Sequence, residues 1–379
     1  MRRLAVLGST GSIGRQTLEV ARAHPDKLRV VALAAARSVG MLAEQAEEFG
    51  ARLVACEDTQ ALRERAALMG RRQISTLEEI AAHPEVDLVV VATSGLAGLP
   101  PTLAAIHAGK NVALANKEVL VAAGAVVTLE AARHQVQLLP IDSEHSALWQ
   151  CLHGEPRESI RRLILTASGG AFRDLPPQRL HGVTAEEALR HPTWSMGPKV
   201  TVDSATLMNK GMEVIEAHWL FGVKLEQIQV VLHRESIVHS LVEFVDGSLK
   251  AQLGPPDMRL PIQYALSYPE RWENDQLPRL ELSGTRLHFG EVELERYPCL
   301  RLAMAAARAG GTHPAVLSAA DEIAVERFLA HEIRLTDIAR VIEDALGAHE
   351  TTTGAPALDD IMAADAWARA RARAWRRDS

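Results

Sequence analysis

The chain has 379 residues, 47% hydrophobic and 23% charged, a soluble globular composition too long for one ordinary core. A formal charge of −7 argues against general nucleic-acid binding. No stretch approaches the ~20 apolar residues that span a bilayer, and the run at 4–7 after two arginines is too short for a signal core.

Short apolar runs at 4–7, 28–33, 52–56, 87–92, 111–115 and 137–141 alternate with helical patterns near 14–24, 40–49, 60–69, 99–109 and 117–133. Continuous apolar strands joined by helices predict an α/β domain, with a doubly wound parallel sheet covered on both faces. After Cys151 the texture changes. Strands are expected at 160–167, 230–232, 237–244 and 249–253, with Asp246-Gly247 as a hairpin turn, which makes a second, α+β domain. A Pro-rich aperiodic stretch follows, and from Cys299 onward helices fit 314–330, 336–347 (Thr336 as N-cap) and 357–375, a C-terminal helical bundle. The expected division is 1–150, a dinucleotide-binding domain; 151–268, a catalytic domain with a flap near 190–199; 269–293, a linker; and 294–379, the helical domain. The arginine-rich end, WARARARAWRRDS, reads as a solvated helix end rather than a nucleic-acid tail. Cys56, Cys151 and Cys299 form no metal pattern and read as free thiols of a cytoplasmic protein.

The first strand runs into GSTGSIG, with glycines at 8, 11 and 14 and Thr10, Ser12 and Ile13 between them. A strand–turn–helix of this kind lets backbone approach a pyrophosphate held at a helix N-terminus. The second strand ends in Ala36-Arg37-Ser38 rather than an acidic residue, which favours NADP(H) over NAD(H). Asn116-Lys117-Glu118 follows another strand. There Asn116 either contacts a cofactor or caps the next helix, and Lys117 can neutralise developing oxyanion charge.

Asp142 and Glu144 lie two apart at an expected strand end, so their side chains would point the same way. Ser168-Gly169-Gly170 is a small-residue turn suited to an anion. Residues 191–216, HPTWSMGPKVTVDSATLMNKGMEVIE, hold His191, Trp194, Met196 and Gly197 in a loop that could cover a ligand. A helix starting near Ser204 would put Asn209, Lys210 and Glu213 on one face, pairing phosphate donors with a hard-metal ligand. Asp142, Glu144 and Glu213 together would suit Mg²⁺ or Mn²⁺ rather than zinc.

GSTGSIG, NKE (116–118), DSE (142–144), LTASGG (165–170), the 191–216 run, SIVHSLVEF (236–244) and AQLGPPDMR (251–259) together resemble the 1-deoxy-D-xylulose 5-phosphate reductoisomerase family over essentially the whole chain. The resemblance implies a three-domain homodimer that uses NADPH and Mg²⁺ or Mn²⁺ to convert a sugar phosphate, deoxyxylulose phosphate, into methylerythritol phosphate. It implies metal ligands at Asp142, Glu144 and Glu213. Substrate contacts are implied at Lys117, Ser143, Glu144, Ser168, His191, Trp194, Met196, Ser204, Asn209, Lys210 and Glu213, with Lys117, Glu144 and His191 catalytic. Cofactor contacts are implied at Gly8, Thr10, Gly11, Ser12, Ile13, Ala36, Arg37, Ser38, Asn116, Glu118 and Gly197. The chain departs from the family's usual residues at Ala36, Ser38, Val119 and Arg234, none of them a proposed metal ligand. A second reading of the same residues is an NADP-dependent, metal-assisted dehydrogenase of another phosphorylated hydroxy acid or sugar, without skeletal rearrangement.

Overall fold

A computed structural model describes residues 1–66, 72–194, 196–350 and 356–377. In chain order the first elements are β1 (Arg2–Leu7), α1 (Ser12–Ala23), β2 (Leu28–Ala35), α2 (Val39–Phe49), β3 (Leu53–Cys56), α3 (Thr59–Ala66), β4 (Gln73–Ile74), α4 (Leu77–Ala82), β5 (Leu88–Val91), α5 (Leu99–His107), β6 (Asn111–Leu114), α6 (Lys117–Arg133), β7 (Leu138–Pro140) and α7 (Ser143–Leu152). The expected helix at 60–69 is α3, and the last part of that expectation lies outside the described residues. The two-residue strand β4 and the short helix α4, capped by Thr76 and Glu79, are too brief for periodicity to reveal.

The strands pair in the order β4-β3-β2-β1-β5-β6-β7, all parallel. The apolar strands are buried on both faces, with Leu4, Val6, Val89 and Val90 fully inaccessible. Strand order reverses between β1 and β5, so a crevice opens at their C-terminal ends.

The chain continues through β8 (Ile160–Ala167), α8 (Ala185–Ala188), α9 (Pro198–Thr206), α10 (Met208–Phe221), β9 (Ile228–His233), β10 (Val238–Phe244), β11 (Leu249–Leu253), α11 (Arg259–Ser267), β12 (Phe289–Gly290), α12 (Pro298–Ala309), α13 (His313–Leu329), α14 (Leu335–Gly347) and α15 (Leu358–Ala374). The second sheet runs β11-β10-β8-β9-β12, with β8 and β9 parallel and the other pairs antiparallel. The Asp246-Gly247 turn joins β10 to β11, with Gly247 at φ +86°. Met208, Met212 and Ile215 of α10 join Ala303, Val316, Leu317, Ile338 and Ile342 of the C-terminal helices in one apolar core. Several C-terminal arginines pair with acids: Arg369 with Glu322 and Asp365, Arg371 with Asp344, and Arg377 with Asp337. All three cysteines are free. Among the described residues no helix is long and apolar enough to cross a membrane.

Contacts gather the chain into two units. One is Met1–Val119, Val127–Ser146 and Asp257–Pro278; the other is Leu120–Val126, Ala147–Pro256 and Arg279–Ser379. The sequence reading splits 257–278 between a catalytic domain and a linker, but the chain returns to the first unit there. Arg2 of β1 donates to the carbonyls of Leu266 and Tyr268 at 2.6 and 3.2 Å, and His24 bonds Gln263 at 2.9 Å. The apolar face of α11 (Ile262, Ala265, Leu266) spans only nine residues, too few for periodicity to mark it in the sequence. Thr336 is not the N-cap of α14. That place is taken by Arg334, whose N–H donates to the Asp337 carboxylate at 2.9 Å.

Candidate active site

In the first unit, Gly8 follows β1 at φ +87°, and a Cβ there would meet the Ala92 carbonyl oxygen at 2.3 Å. Gly14, inside α1, leaves no more room: its Cβ would lie 2.2 Å from Gly8 O. These two glycines let the loop between β1 and α1 close tightly, with Thr10, Ser12 and Ile13 half-buried and Gly11 exposed at the helix N-terminus. Ser9 is spent elsewhere, donating to Gln45 Oε1 at 2.7 Å. Ala36, Arg37 and Ser38 are exposed where β2 ends.

Asn116 does cap α6, accepting from Val119 N at 3.3 Å and donating to Gly95 O at 2.8 Å. Lys117 and Glu118 therefore occupy the first helical turn, and the Lys117 ammonium donates to Asp142 Oδ2 at 2.6 Å. Asp142 and Glu144 do not share a strand face as expected. β7 ends at Pro140, and Asp142 closes the first turn of α7, its carbonyl accepting from Ser146 N at 2.8 Å. Ser143 and Glu144 thus sit in a helix's first turn, where their side chains bond each other.

In the second unit, β8 ends at Ala167 and the chain turns through Ser168, Gly169 (φ +85°) and Gly170 (φ +70°). Any Cβ on Gly170 would lie 2.4 Å from Ser204 O, so this turn packs directly on the last turn of α9. His191 Nε2 lies 3.0 Å from Ser168 Oγ and 3.1 Å from Ser204 Oγ. Its Nδ1 accepts the N–H groups of Trp194 and Thr193 at 2.8 and 3.2 Å, so the proton resides on Nε2. Burial, and secondarily the charge of Arg173, lowers the imidazole pKa to about 4. Ser168, His191 and Ser204 therefore form a cluster of neutral donors around one point.

No single helix starts near Ser204. α9 ends at Thr206, Leu207 takes a left-handed φ of +57°, and α10 begins at Met208. Asn209, Lys210 and Glu213 still share a face, because all three fall inside α10. Glu213 is fully buried and accepts from both Asn209 Nδ2 and Lys210 Nζ. Trp194 is half-buried with its ring 6.0 Å from that of His239, Met196 is half-buried, and Gly197 is the exposed N-cap of α9.

Comparison with known proteins gives matches along nearly the entire chain. Residues 4–124 match 1-deoxy-D-xylulose 5-phosphate reductoisomerase, residues 138–221 match the C-terminal domain of that enzyme, and residues 253–371 match the DXP reductoisomerase C-terminal domain. The 1-deoxy-D-xylulose 5-phosphate reductoisomerase of Heliobacterium modesticaldum is 54% identical over 97% of this chain and 96% of that protein. The chain belongs to the 1-deoxy-D-xylulose 5-phosphate reductoisomerase family. Its relative of that name in Desulforamulus reducens is 52% identical over 98% of each chain. A solved DOX-P reductoisomerase in complex with NADPH, fosmidomycin and magnesium is 42% identical, with a TM-score of 0.93 over 99% of this chain and 98% of that one. The Zymomonas mobilis enzyme in complex with NADPH superposes with a TM-score of 0.90 at 41% identity, over 98% of each chain.

Several residues that brace the candidate site carry no motif. Arg296 donates to the carbonyls of Phe172, Arg173 and Leu175 at 2.7, 3.0 and 2.6 Å, pinning the chain after the Ser-Gly-Gly turn. Arg173 in turn donates to Ser168 O at 2.9 Å. Lys199 pairs with buried Asp203 and Asp321 at 2.7 and 3.0 Å, tying α9 to α13. Lone arginines and lysines look like surface in sequence, and only long-range contacts reveal these clamps. His145, buried, lies 3.8 Å from Asp142 and had no spacing signal either.

Proposed function

We propose that this chain converts 1-deoxy-D-xylulose 5-phosphate to 2-C-methyl-D-erythritol 4-phosphate, by metal-dependent rearrangement and NADPH-dependent reduction. The observation that carries this reading is the Ser168–His191–Ser204 cluster of neutral donors, set in a chain that matches the family end to end.

The cofactor loop fits NADPH: Gly8 and Gly14 leave backbone where any Cβ would collide, the close approach a pyrophosphate needs. Gly8, Thr10, Gly11, Ser12 and Ile13 line that loop, and Arg37, flanked by Ala36 and Ser38, supplies a charge for the 2′-phosphate. Asn116, Glu118 and Gly197 are further cofactor contacts on the family's pattern. The carboxylates of Asp142, Glu144 and Glu213 are an all-oxygen donor set that fits Mg²⁺ or Mn²⁺. Each now carries donors in the fold, as Lys117 on Asp142 and Lys210 and Asn209 on Glu213 illustrate. When bound, the metal supplies Lewis-acid stabilisation of oxyanion charge and NADPH supplies the hydride.

The chain's own groups do the rest. His191, through its Nε2–H, joins Ser168, Ser204 and Asn209 as a donor to the substrate phosphate. Lys117 and Lys210 place ammonium charge where negative charge develops, with Ser143 as a further polar contact. Glu144 holds a proton moving between substrate oxygens at its carboxylate. Trp194 and Met196 cover the ligand and exclude water. The first unit, including the returning segment 257–278, would carry cofactor binding, and in the second unit 147–256 would carry the substrate grip and 294–379 its helical support. The family resemblance likewise supports a cytoplasmic homodimer with no nucleic-acid or membrane partner, which light scattering of the purified chain tests for the dimer.

The test is NADPH absorbance on adding 1-deoxy-D-xylulose 5-phosphate with Mg²⁺ or Mn²⁺, and again with excess chelator. Metal-dependent loss of absorbance, with rearranged product by NMR, is expected. No loss with either metal from folded protein overturns the reading, and reduction without skeletal rearrangement favours the simpler dehydrogenase.

A further inference from the structure

We propose that His107, Glu130 and His134 form a second metal site, for a borderline transition ion such as Zn²⁺ or Ni²⁺, on the surface of the first unit. His107 ends α5, Glu130 lies in the last turns of α6, and His134 is the residue that closes α6. Four positions separate Glu130 from His134, which puts both on one helix face. Glu130 Oε2 lies 3.1 Å from His107 Nε2 and 3.8 Å from His134 Nε2. The two imidazoles are 5.2 Å apart at 49° to each other, and the three donor atoms all lie within 4.8 Å of one another.

Tetrahedral zinc with bonds of ~2.0–2.1 Å needs donors roughly 3.4 Å apart. Small side-chain rotations from the observed geometry reach that spacing, and the side chains of His107 and His134 are 53% and 36% exposed, free enough to make them. Arg133 fixes the carboxylate by donating to the other oxygen, Oε1, at 2.7 Å, which leaves Oε2 turned to the imidazoles. This is the second-contact arrangement that orients a metal ligand.

Two nitrogens and one oxygen select a different class of ion from the carboxylate set proposed for catalysis. Imidazole suits zinc, nickel and copper, whereas magnesium demands oxygen. Three protein ligands also leave a fourth position for water or a small anion.

The test is calorimetric titration of Zn²⁺, and separately Ni²⁺, into the full-length protein in saturating Mg²⁺. Wild type is compared with His107→Ala, His134→Ala and Arg133→Ala. Thermal melts confirm that these exposed substitutions leave the fold intact. We expect each histidine variant to lose one bound equivalent or to weaken it at least tenfold. Arg133→Ala, which releases the carboxylate from its orienting donor, should weaken binding, but by less than either histidine variant. Binding curves for both histidine variants that overlay wild type overturn the proposal, as does a loss smaller than tenfold. Because the readout is metal binding by exposed residues, it stands or falls apart from the proposed reductoisomerase reaction.

Discussion

The backbone N–H of Trp194 donates to His191 Nδ1 at 2.8 Å, and this bond fixes which ring nitrogen carries the proton. His191 therefore presents Nε2–H to Ser168 and Ser204, a neutral donor rather than a cation. Burial lowers its pKa from the usual 6.5 to about 4. The folded chain thus resists protonation that the unfolded chain accepts. Stability is unaffected above about pH 6.5 and declines as pH falls from there toward 4. Denaturant melts at pH 7, 6, 5 and 4 should show a steeper loss for wild type than for His191→Gln. Equal slopes, or an imidazole titrating near 6.5 by NMR, would remove the burial-lowered pKa of His191.

Gly170 and Gly197 make a paired test of backbone room. Gly170→Ala meets both a left-handed φ of +70° and the Ser204 oxygen at 2.4 Å, whereas a Cβ on Gly197 meets nothing within 4 Å. Strain and overpacking together should cost Gly170→Ala about 3 kcal/mol. Gly197→Ala, in the open, should stay within about 0.5 kcal/mol. Urea unfolding measures both, and similar values for the two would contradict the packing of the turn on α9.

Glu213→Gln removes the carboxylate charge from the buried Lys210–Glu213 ion pair, at a cost of about 3 kcal/mol in stability. Metal-dependent turnover should fall by roughly 100-fold or more, a barrier change of about 3 kcal/mol. Circular dichroism at a temperature well below the melt separates lost chemistry from lost fold. Full activity in the folded variant would exclude Glu213 as a metal ligand.

Arg37 stands exposed at the end of β2. If it meets the 2′-phosphate, Arg37→Ala should raise the KM for NADPH roughly tenfold, the equivalent of about 1.5 kcal/mol for one bond to a charged group. The KM for NADH should not move. Initial rates with each cofactor decide the matter, and equal effects on both would shift the NADPH preference to Ser38 or to the loop itself.

Much of this was legible in the chain. The parallel sheet announces itself because strands buried on both faces must be continuously apolar, as 87–92 and 111–115 are. The candidate site residues are picked out in sequence because polar side chains crowd the ends of those strands and the 204–213 stretch. What stayed hidden was set by tertiary contact. The break at Leu207 depends on a left-handed backbone at a residue type that rarely adopts one, so nothing local foretold it. Asp142 became a helix cap rather than a strand residue because β7 ends early at Pro140. Arg296, Lys199 and Asp321 act across more than a hundred residues, a range at which periodicity carries no information.

The return of 257–278 to the first unit also sets an order of events during synthesis. Arg2 cannot find the carbonyls of Leu266 and Tyr268, nor His24 the amide of Gln263, until that segment has left the ribosome. By then the whole of β8 through β11 has already emerged. The first-made strands must wait with one flank of α1 bare while later ones assemble, so a fragment stopping near residue 150 should be sticky and prone to aggregate.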